Sequence, residues 1–494
     1  MKLAASFALA CRRLRCLLAI QFLLHASAFS LLGPRESWMD SSLSYGLDGS
    51  PGGPMNLGDE YRWCIPEIVY GFDASFVSYF GHSGIAAVES AVAILNDLPE
   101  NIDLDRFPTY VFGFNRAAEN LERVDLKSFA LSALLEQLGV GPAEENVFCL
   151  RSRSVDTVTG GSYSVVNRNF DAYSILPTES INGVLFTYRI IELPAHAGVG
   201  IAPFPVDFSA PVSSTVSCFL PFATMLGEGR ENGRFATALT RDDAAALRYI
   251  YSTNRIRWET LPSGFDWKES SGSKPVISGF RPGVVRPRFK RLFYNSATQA
   301  NTRHDFVDRI VSGETVITQR VTRRIVTPDI LFSAQDLGVT NLVRRTIGGW
   351  TRSNVLPGGD GAGTIEPGGR IVLNKVGPVY LVYPPGDQSS AMLMLPGFGT
   401  FDGTTNAVVT YPAAVVDQSI ETLSFKRIPG ENGKSLLNWT FRSAHGRSAN
   451  VYKSTDLELW ELTRMIKSSD GLFQLSLDEA TAESTFYRTE ISER

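Results

Sequence analysis

Helical periodicity occurs only in the first half of this chain, and that restriction limits the folds that the chain can adopt. Stripes of apolar residues at helical spacing run over 85–95, 125–138 and 240–251. Beyond about residue 276 the sequence changes to short runs rich in Thr, Val, Ile, Phe and Tyr that Pro and Gly interrupt, which is typical of β structure. The pattern predicts a multidomain α+β protein.

Length and turn residues indicate where the domains begin and end. The chain has 494 residues, more than one hydrophobic core usually serves. We expect a mixed α/β domain at 60–253, a linker at 254–275, an all-β domain at 276–415 and a small C-terminal β-sandwich at 418–494. Within the all-β domain, the basic run at 286–291 is expected to be a solvated strand face.

The N-terminus has the layout of a signal peptide. Basic residues precede an apolar run at 16–24, and Ala26-Ser27-Ala28 supplies the small residues that signal peptidase accepts. The run is too short to span a bilayer, and no later stretch is long and apolar enough. We therefore expect removal of 1–28, a flexible Ser-, Gly- and Pro-rich lead-in at 29–59, and a secreted or envelope-attached mature protein without a transmembrane span.

The charge balance argues against a nucleic-acid partner. The chain has 47 Lys and Arg against 51 Asp and Glu, spread along its length, for a net charge of −4. Proteins that bind nucleic acid neutralise phosphates with clustered Lys and Arg, which this distribution lacks.

Three cysteines, Cys64, Cys149 and Cys218, remain once the signal peptide is removed. An oxidising compartment would permit one disulfide among them, and the sequence leaves the pairing open. No two cysteines have the C-x-x-C spacing of a thiolate zinc site. We expect these residues to be structural.

A helix that ends at a glycine carries the strongest functional signal. Residues 125–142 read DLKSFALSALLEQLGVGP, and they resemble the metal-binding helix and turn of matrixin-type zinc metallopeptidases, whose pattern is H-E-x-x-H-x-x-G-x-x-H followed by a Met-turn. On that pattern the first ligand, the catalytic glutamate, the second ligand, the turn glycine and the third ligand correspond to Ser132, Ala133, Glu136, Gly139 and Pro142.

Two other segments resemble the same family in the same order. Residues 239–251 are similar to its final helix, and Met225, 14 residues before Leu239, has about the separation of the Met-turn methionine. Residues 68–73, with the helix after them, are similar to its first strand and first helix. The resemblance implies a metzincin-like fold for the first domain.

The residues at the ligand positions predict that this domain has lost its zinc chemistry. A serine hydroxyl and one carboxylate make a poor zinc site, and Ala133 cannot act as a general base. The remaining histidines have no ligand-like spacing: His82, His196, His304 and His445. We expect no catalytic residue, no metal and no cofactor.

The C-terminal module has a family likeness of its own. Residues 451–460 and the closing 486–488 resemble small β-sandwich repeats that end many large secreted bacterial proteins. Such modules imply an exported protein and no particular reaction. Tryptophan and paired aromatics at alternating strand positions are sufficient to fill a small sandwich core.

Together these observations predict a non-enzymatic, secreted or envelope-associated protein with a pseudo-metallopeptidase domain that binds a peptide or a protein. Two alternatives stay open. One is an active extracellular zinc metallopeptidase with non-standard ligands, and the other is a purely structural or adhesion component.

Overall fold

The computed structural model forms two compact units, Met1–Tyr411 and Pro412–Arg494. The residues that it describes lie in these segments: 27–46, 51–156, 160–192, 199–209, 214–219, 232–251, 258–260, 266–268, 280–282, 284–292, 302–312, 315–325, 327–335, 343–346, 350–352, 369–374, 380–382, 392–394, 397–404, 407–411, 421–429, 435–442, 448–454, 461–467, 472–478 and 486–492. The chain is mixed α and β, with more strand than helix.

A five-stranded sheet, here called the main sheet, organises the first unit. Its strands lie in the order Arg288–Arg291, Glu67–Phe72, Ile330–Gln335, Gly369–Asn374 and Val343–Thr346. The first four are parallel and the last is antiparallel to its neighbour. Almost every residue of the strands 67–72 and 330–335 is buried, as expected for parallel strands that are covered on both faces.

The main sheet corrects the predicted separation between domains at 60–253 and 276–415. Strand 67–72 lies between two strands from the second range and is hydrogen-bonded to both. The described residues at 280–411 do form strands, but they complete a sheet that begins in the first range. Strands pair over any sequence distance, so a local change in composition does not mark a domain boundary.

Five α-helices are described, and we number them along the chain: α1 Ala74–Asn96, α2 Arg116–Asn120, α3 Leu126–Gln137, α4 Ala143–Asn146 and α5 Arg241–Tyr251. Two short 3₁₀ segments are Ser41–Leu43 and Leu104–Arg106. The predicted helices at 125–138 and 240–251 are confirmed to within a residue or two, as α3 and α5. No helix among the described residues is both long and apolar enough to cross a membrane.

Hydrogen bonds join helix α1 to the main sheet at both ends. Asp73 caps its first turn by accepting from the Phe76 N–H (3.0 Å), and it also accepts from the Ser333 hydroxyl on the sheet (2.6 Å). At the other end, the Asn96 side chain exchanges hydrogen bonds of 2.8 and 2.9 Å with the Phe289 backbone. The helix bends at Gly81, whose backbone is not helical (φ 58°, ψ −161°).

The remaining strands of the first unit form small sheets around this framework. Paired strands are Ala28–Ser30 with Asn169–Asp171, Leu32–Gly33 with Gly53–Pro54, Tyr61–Trp63 with Trp350–Arg352, Phe112–Phe114 with Arg234–Ala236, Cys149–Asp156 with Gly160–Val166, Trp258–Thr260 with Phe280–Pro282, and Tyr380–Val382 with Met392–Met394. Three-stranded sheets are Ser180–Ile181, Val184–Glu192 and Val199–Pro205; Asp266–Lys268, Thr315–Ile325 and Thr302–Ser312; and Val409–Thr410, Gly397–Thr400 and Arg123–Asp125.

The predicted flexible lead-in at 29–59 is wrong for the described residues of that range. Phe29, Leu31, Leu32 and Met55 are at most 2% exposed, because this segment adds short strands to the first unit. The signal-peptide prediction lies outside the described residues except at Ser27 and Ala28, which are buried. The predicted linker at 254–275 is described only at 258–260 and 266–268, and both pieces are paired strands.

The second unit consists of two antiparallel three-stranded sheets in its described part. One has the order Glu421–Pro429, Ser435–Arg442, Leu472–Asp478, and the other has the order Glu461–Lys467, Ser448–Ser454, Phe486–Ser492. The described residues of this unit are all in strands.

Candidate functional site

The predicted motif positions lie in the core of the first unit. Ser132, Ala133 and Glu136 are 0% exposed, and Gly139 and Pro142 are also buried. Every residue of α3 except Lys127 is buried, so this helix is enclosed on all sides. The structure thus brings the five positions together on one helix and its exit turn, without an open face at any of them.

Ser132, at the first ligand position, forms a hydrogen bond within the core. Its hydroxyl donates to the Ser217 carbonyl oxygen at 3.0 Å. Segment 214–219 therefore lies against α3 at this position. Met225, which we expected near the helix, lies outside the described residues.

Gly139, at the turn-glycine position, ends α3 in a Schellman motif. The Gly139 N–H donates to Glu136 O (2.9 Å), and the Val140 N–H donates to Leu135 O (3.0 Å). Gly139 has a φ of +92°, and a Cβ placed on it would lie 2.0 Å from the Tyr61 carbonyl oxygen. The chain thus needs glycine here for the helix end itself. Pro142 then precedes the short helix α4.

A buried carboxylate fixes the segment that contacts Ser132. Asp243 accepts from the Val216 N–H (2.8 Å) and the Ser217 N–H (2.9 Å). It also forms a capping box with Thr240, accepting from the Thr240 N–H (3.1 Å) while its own N–H donates to the Thr240 hydroxyl (3.3 Å). The sequence held no signal for the contact of Asp243 with 214–219.

Two further buried acidic residues, Asp242 and Glu144, accept hydrogen bonds from other segments of the chain. Asp242 accepts from the Ala28 N–H (2.9 Å) and the Asn182 N–H (2.6 Å), and Glu144 accepts from the Thr215 hydroxyl (2.7 Å). Burial raises the pKa of Asp242 well above its ordinary value and also raises the pKa of Glu144. Asp242, Asp243 and Glu144 accept hydrogen bonds from backbone and hydroxyl groups. These bonds join the N-terminal strand, a hairpin turn and segment 214–219 to α4 and α5.

The described histidines and the three cysteines are not residues of α3. His82 is exposed on α1, and His304 is buried with its Nε2 2.9 Å from a Glu67 carboxylate oxygen. His196 and His445 lie outside the described residues. Cys149 donates its thiol to Asn146 O, and burial raises its pKa to about 12. Among the residues that the structure describes, no group of three His, Cys, Asp or Glu side chains is arranged to hold a metal ion.

Asp125, the N-cap of α3, has a carboxyl group that is suited to a pH measurement. Its side chain accepts from the Ser128 N–H (2.9 Å) and hydroxyl (2.5 Å). Burial nevertheless raises its pKa from 3.8 to about 6. The folded state therefore keeps a proton that the unfolded chain releases, and the stabilisation that this proton gives is complete below about pH 4 and lost as the pH rises through about 6.

We expect Asp125→Asn to remove this pH dependence, because asparagine caps a helix equally well but does not titrate. At about 1.4 kcal/mol per pKa unit, the wild-type free energy of unfolding should fall by about 3 kcal/mol between about pH 3 and pH 7 relative to the variant. Urea unfolding of both proteins across this range measures the difference. Parallel pH profiles would contradict the assignment.

Comparisons with known proteins identify no family for this chain. No protein-family model, curated protein or solved structure matches the chain.

Proposed function

We propose that this chain is a non-enzymatic protein of the cell exterior in which a metallopeptidase-like domain serves as a scaffold that binds a peptide or another protein. The observation that carries the proposal is the burial of α3. A catalytic zinc site needs three donor side chains and one coordination position open to water. At the corresponding positions Ser132 and Glu136 are 0% exposed and Pro142 is buried, and the Ser132 hydroxyl donates to Ser217 O.

The missing general base supports the same proposal. A zinc peptidase activates its metal-bound water with a carboxylate next to the first ligand, and this position is Ala133, which is 0% exposed. Leucine, phenylalanine and alanine occupy most of the helix around it. The side chains of α3 thus serve to pack the core.

Addition of a peptide strand to Val199–Pro205, the outer strand of its three-stranded sheet, is disfavoured. The Val206 N–H donates to Leu185 O, so the alternate residues Pro203 and Pro205 are the ones that face the open edge. Proline has no N–H to donate, and the Val199 carbonyl already accepts from the Ser44 hydroxyl. We therefore expect a ligand to be bound through side chains in a concave site.

Metal analysis of the purified mature protein tests the non-enzymatic part. We expect no stoichiometric zinc, no proteolysis that a chelator abolishes, and no change in either measurement for Glu136→Gln. Zinc bound at one ion per chain and lost in Glu136→Gln would instead support the active metallopeptidase with non-standard ligands.

The binding part is tested on the same preparation with an immobilised peptide library. Saturable binding that a chelator does not affect is expected, and it should persist when Pro412–Arg494 is removed, since that range is a separate compact unit. Absence of binding, together with loss of surface attachment on the same truncation, would favour the purely structural role.

A further inference from the structure

A cavity of about 180 Å³ opens beside the C-terminal end of α1. Its walls come from three parts of the chain: 95–102, the last turn of α5, and 285–289, with Leu138 from the end of α3. All of these residues belong to the first unit. The volume suits a ligand of one amino-acid residue, since a protein cavity of roughly 150 Å³ accommodates benzene.

The inner wall of the cavity is apolar. It is formed by side chains that are at most 9% exposed: Leu95, Leu98, Ile102, Leu138, Leu247 and Phe289. A hydrocarbon group placed against these side chains would leave water, which is worth about 25 cal/mol for each Å² of apolar surface buried.

Two arginine residues, Arg248 and Arg286, also line the cavity, and the Arg248 guanidinium lies over the Tyr173 ring, 5.2 Å from its centroid. Arg248 donates to the Ala172 carbonyl (3.0 Å), and Arg286 donates to the Asn96 carbonyl (3.3 Å). Among the described residues, neither arginine has a carboxylate within ion-pair distance, and Arg286 Nη1 is buried without a hydrogen-bond partner. Within the described part of the chain, neither arginine therefore forms an ion pair.

The electrostatics favour a monoanion. Burial lowers the pKa of Arg286, as does the charge of Arg288, so this cation has lost part of its hydration. Glu100, exposed on the cavity wall, and Asp97 are nearby acids that oppose that shift. The charged residues that line the cavity are Arg248, Arg286 and Glu100, so their net charge is +1, which one carboxylate neutralises.

We propose that this cavity binds a single carboxylate attached to a compact apolar group, as in a free branched-chain acid or the C-terminal residue of a peptide. The carboxylate lies at Arg248 and Arg286, and the apolar group lies against Leu95, Leu98 and Leu247. This inference rests on the proposed binding function and specifies the chemical class of its ligand.

Calorimetric titration with matched probes tests the proposal. N-acetyl-leucine carries the carboxylate of a peptide C-terminus, its amide N-acetyl-leucinamide has the same shape without the charge, and 4-methylpentanoate represents a free acid. We expect N-acetyl-leucine to bind at least about tenfold more tightly than the amide, because the charge-assisted hydrogen bonds are lost in the amide. Binding of 4-methylpentanoate as well would identify a free acid as a ligand, and its failure to bind would identify the peptide C-terminus.

Four variants locate the site. Arg248→Gln and Arg286→Gln should each weaken binding about tenfold, whereas Glu100→Gln should strengthen it two- to threefold by removing a like charge. Arg116→Gln is the matched control, because Arg116 is exposed, lies outside the cavity and should leave affinity unchanged. Glu100 is also exposed, so that variant gives an answer even where an arginine variant unfolds.

Equal affinity for the acid and the amide, or no effect of Glu100→Gln on acid binding, would overturn the proposal. This failure is distinguishable from failure of the proposed function. A chain that binds library peptides without metal but shows no preference for a free carboxylate keeps the scaffold function and loses only this ligand class.

Discussion

Replacing Gly139 with alanine is expected to lower the free energy of unfolding of the first unit by about 2–5 kcal/mol. The φ of +92° costs an L-residue about 1–2 kcal/mol, and the new Cβ would lie 2.0 Å from the Tyr61 carbonyl oxygen. That contact is to backbone on a buried strand, so relieving it requires the helix end or strand Tyr61–Trp63 to move, at a cost of about 1–3 kcal/mol. Urea unfolding followed by tryptophan fluorescence measures the loss.

Gly183→Ala is the matched control for this prediction. Gly183 also has a positive φ (+83°), but no atom of the described residues lies within 4 Å of a Cβ placed on it. Gly183→Ala should therefore lower the free energy of unfolding only by the cost of the positive φ, about 1–2 kcal/mol. If the two variants lost the same free energy, the steric argument for Gly139 would be wrong.

Asp243→Ala is expected to have an effect of similar size, about 3–5 kcal/mol. The carboxylate is 1% exposed and accepts from the N–H groups of Val216, Ser217 and Thr240. Alanine would leave these buried donors without an acceptor, and each such donor costs about 1–3 kcal/mol. Hydrogen exchange should show which segment is released, since the Val216 and Ser217 amides depend directly on this side chain.

Asp40→Ala provides the comparison for Asp243. Asp40 accepts from two nearby N–H groups, those of Ser42 and Leu43, but Asp40 and Ser42 are exposed and water can replace the carboxylate. We expect a loss of at most about 1 kcal/mol for that variant, as for an exposed N-cap. Unchanged exchange at Val216 and Ser217 in Asp243→Ala would contradict the role assigned to Asp243 in holding segment 214–219.

The helices that sequence predicted well are those whose ends are set by neighbouring residues. Helix α3 begins at the cap Asp125 and ends at Gly139, and α5 begins at the Thr240–Asp243 capping box. For helix α1 the sequence showed an apolar stripe only at 85–95. The helix begins at Ala74, because Asp73 caps the Phe76 N–H and also contacts the sheet through Ser333.

The features that sequence did not predict depend on distant residues. The chemical degeneracy of Ser132, Ala133 and Pro142 is evident from their side chains alone, but their burial depends on segments such as 214–219. Arg286 was expected on a solvated strand face, yet it lines the cavity with Arg248, nearly forty positions away along the chain. No local motif marks a site whose walls come from three separated segments.

The main sheet has a consequence for how the chain is made. Strand 67–72 pairs with 288–291 and 330–335, and the Val69 N–H donates to the Asp329 carboxylate across 260 positions. The ribosome synthesises strand 67–72 and helix α1 long before the other strands of the main sheet. The apolar surfaces of this strand and helix therefore stay uncovered until those strands have been made. Such non-local pairing slows folding, and a growing polypeptide of this kind is exposed to aggregation throughout that interval. We expect the first unit to acquire its native structure only after the last parallel strand, 369–374, has been synthesised.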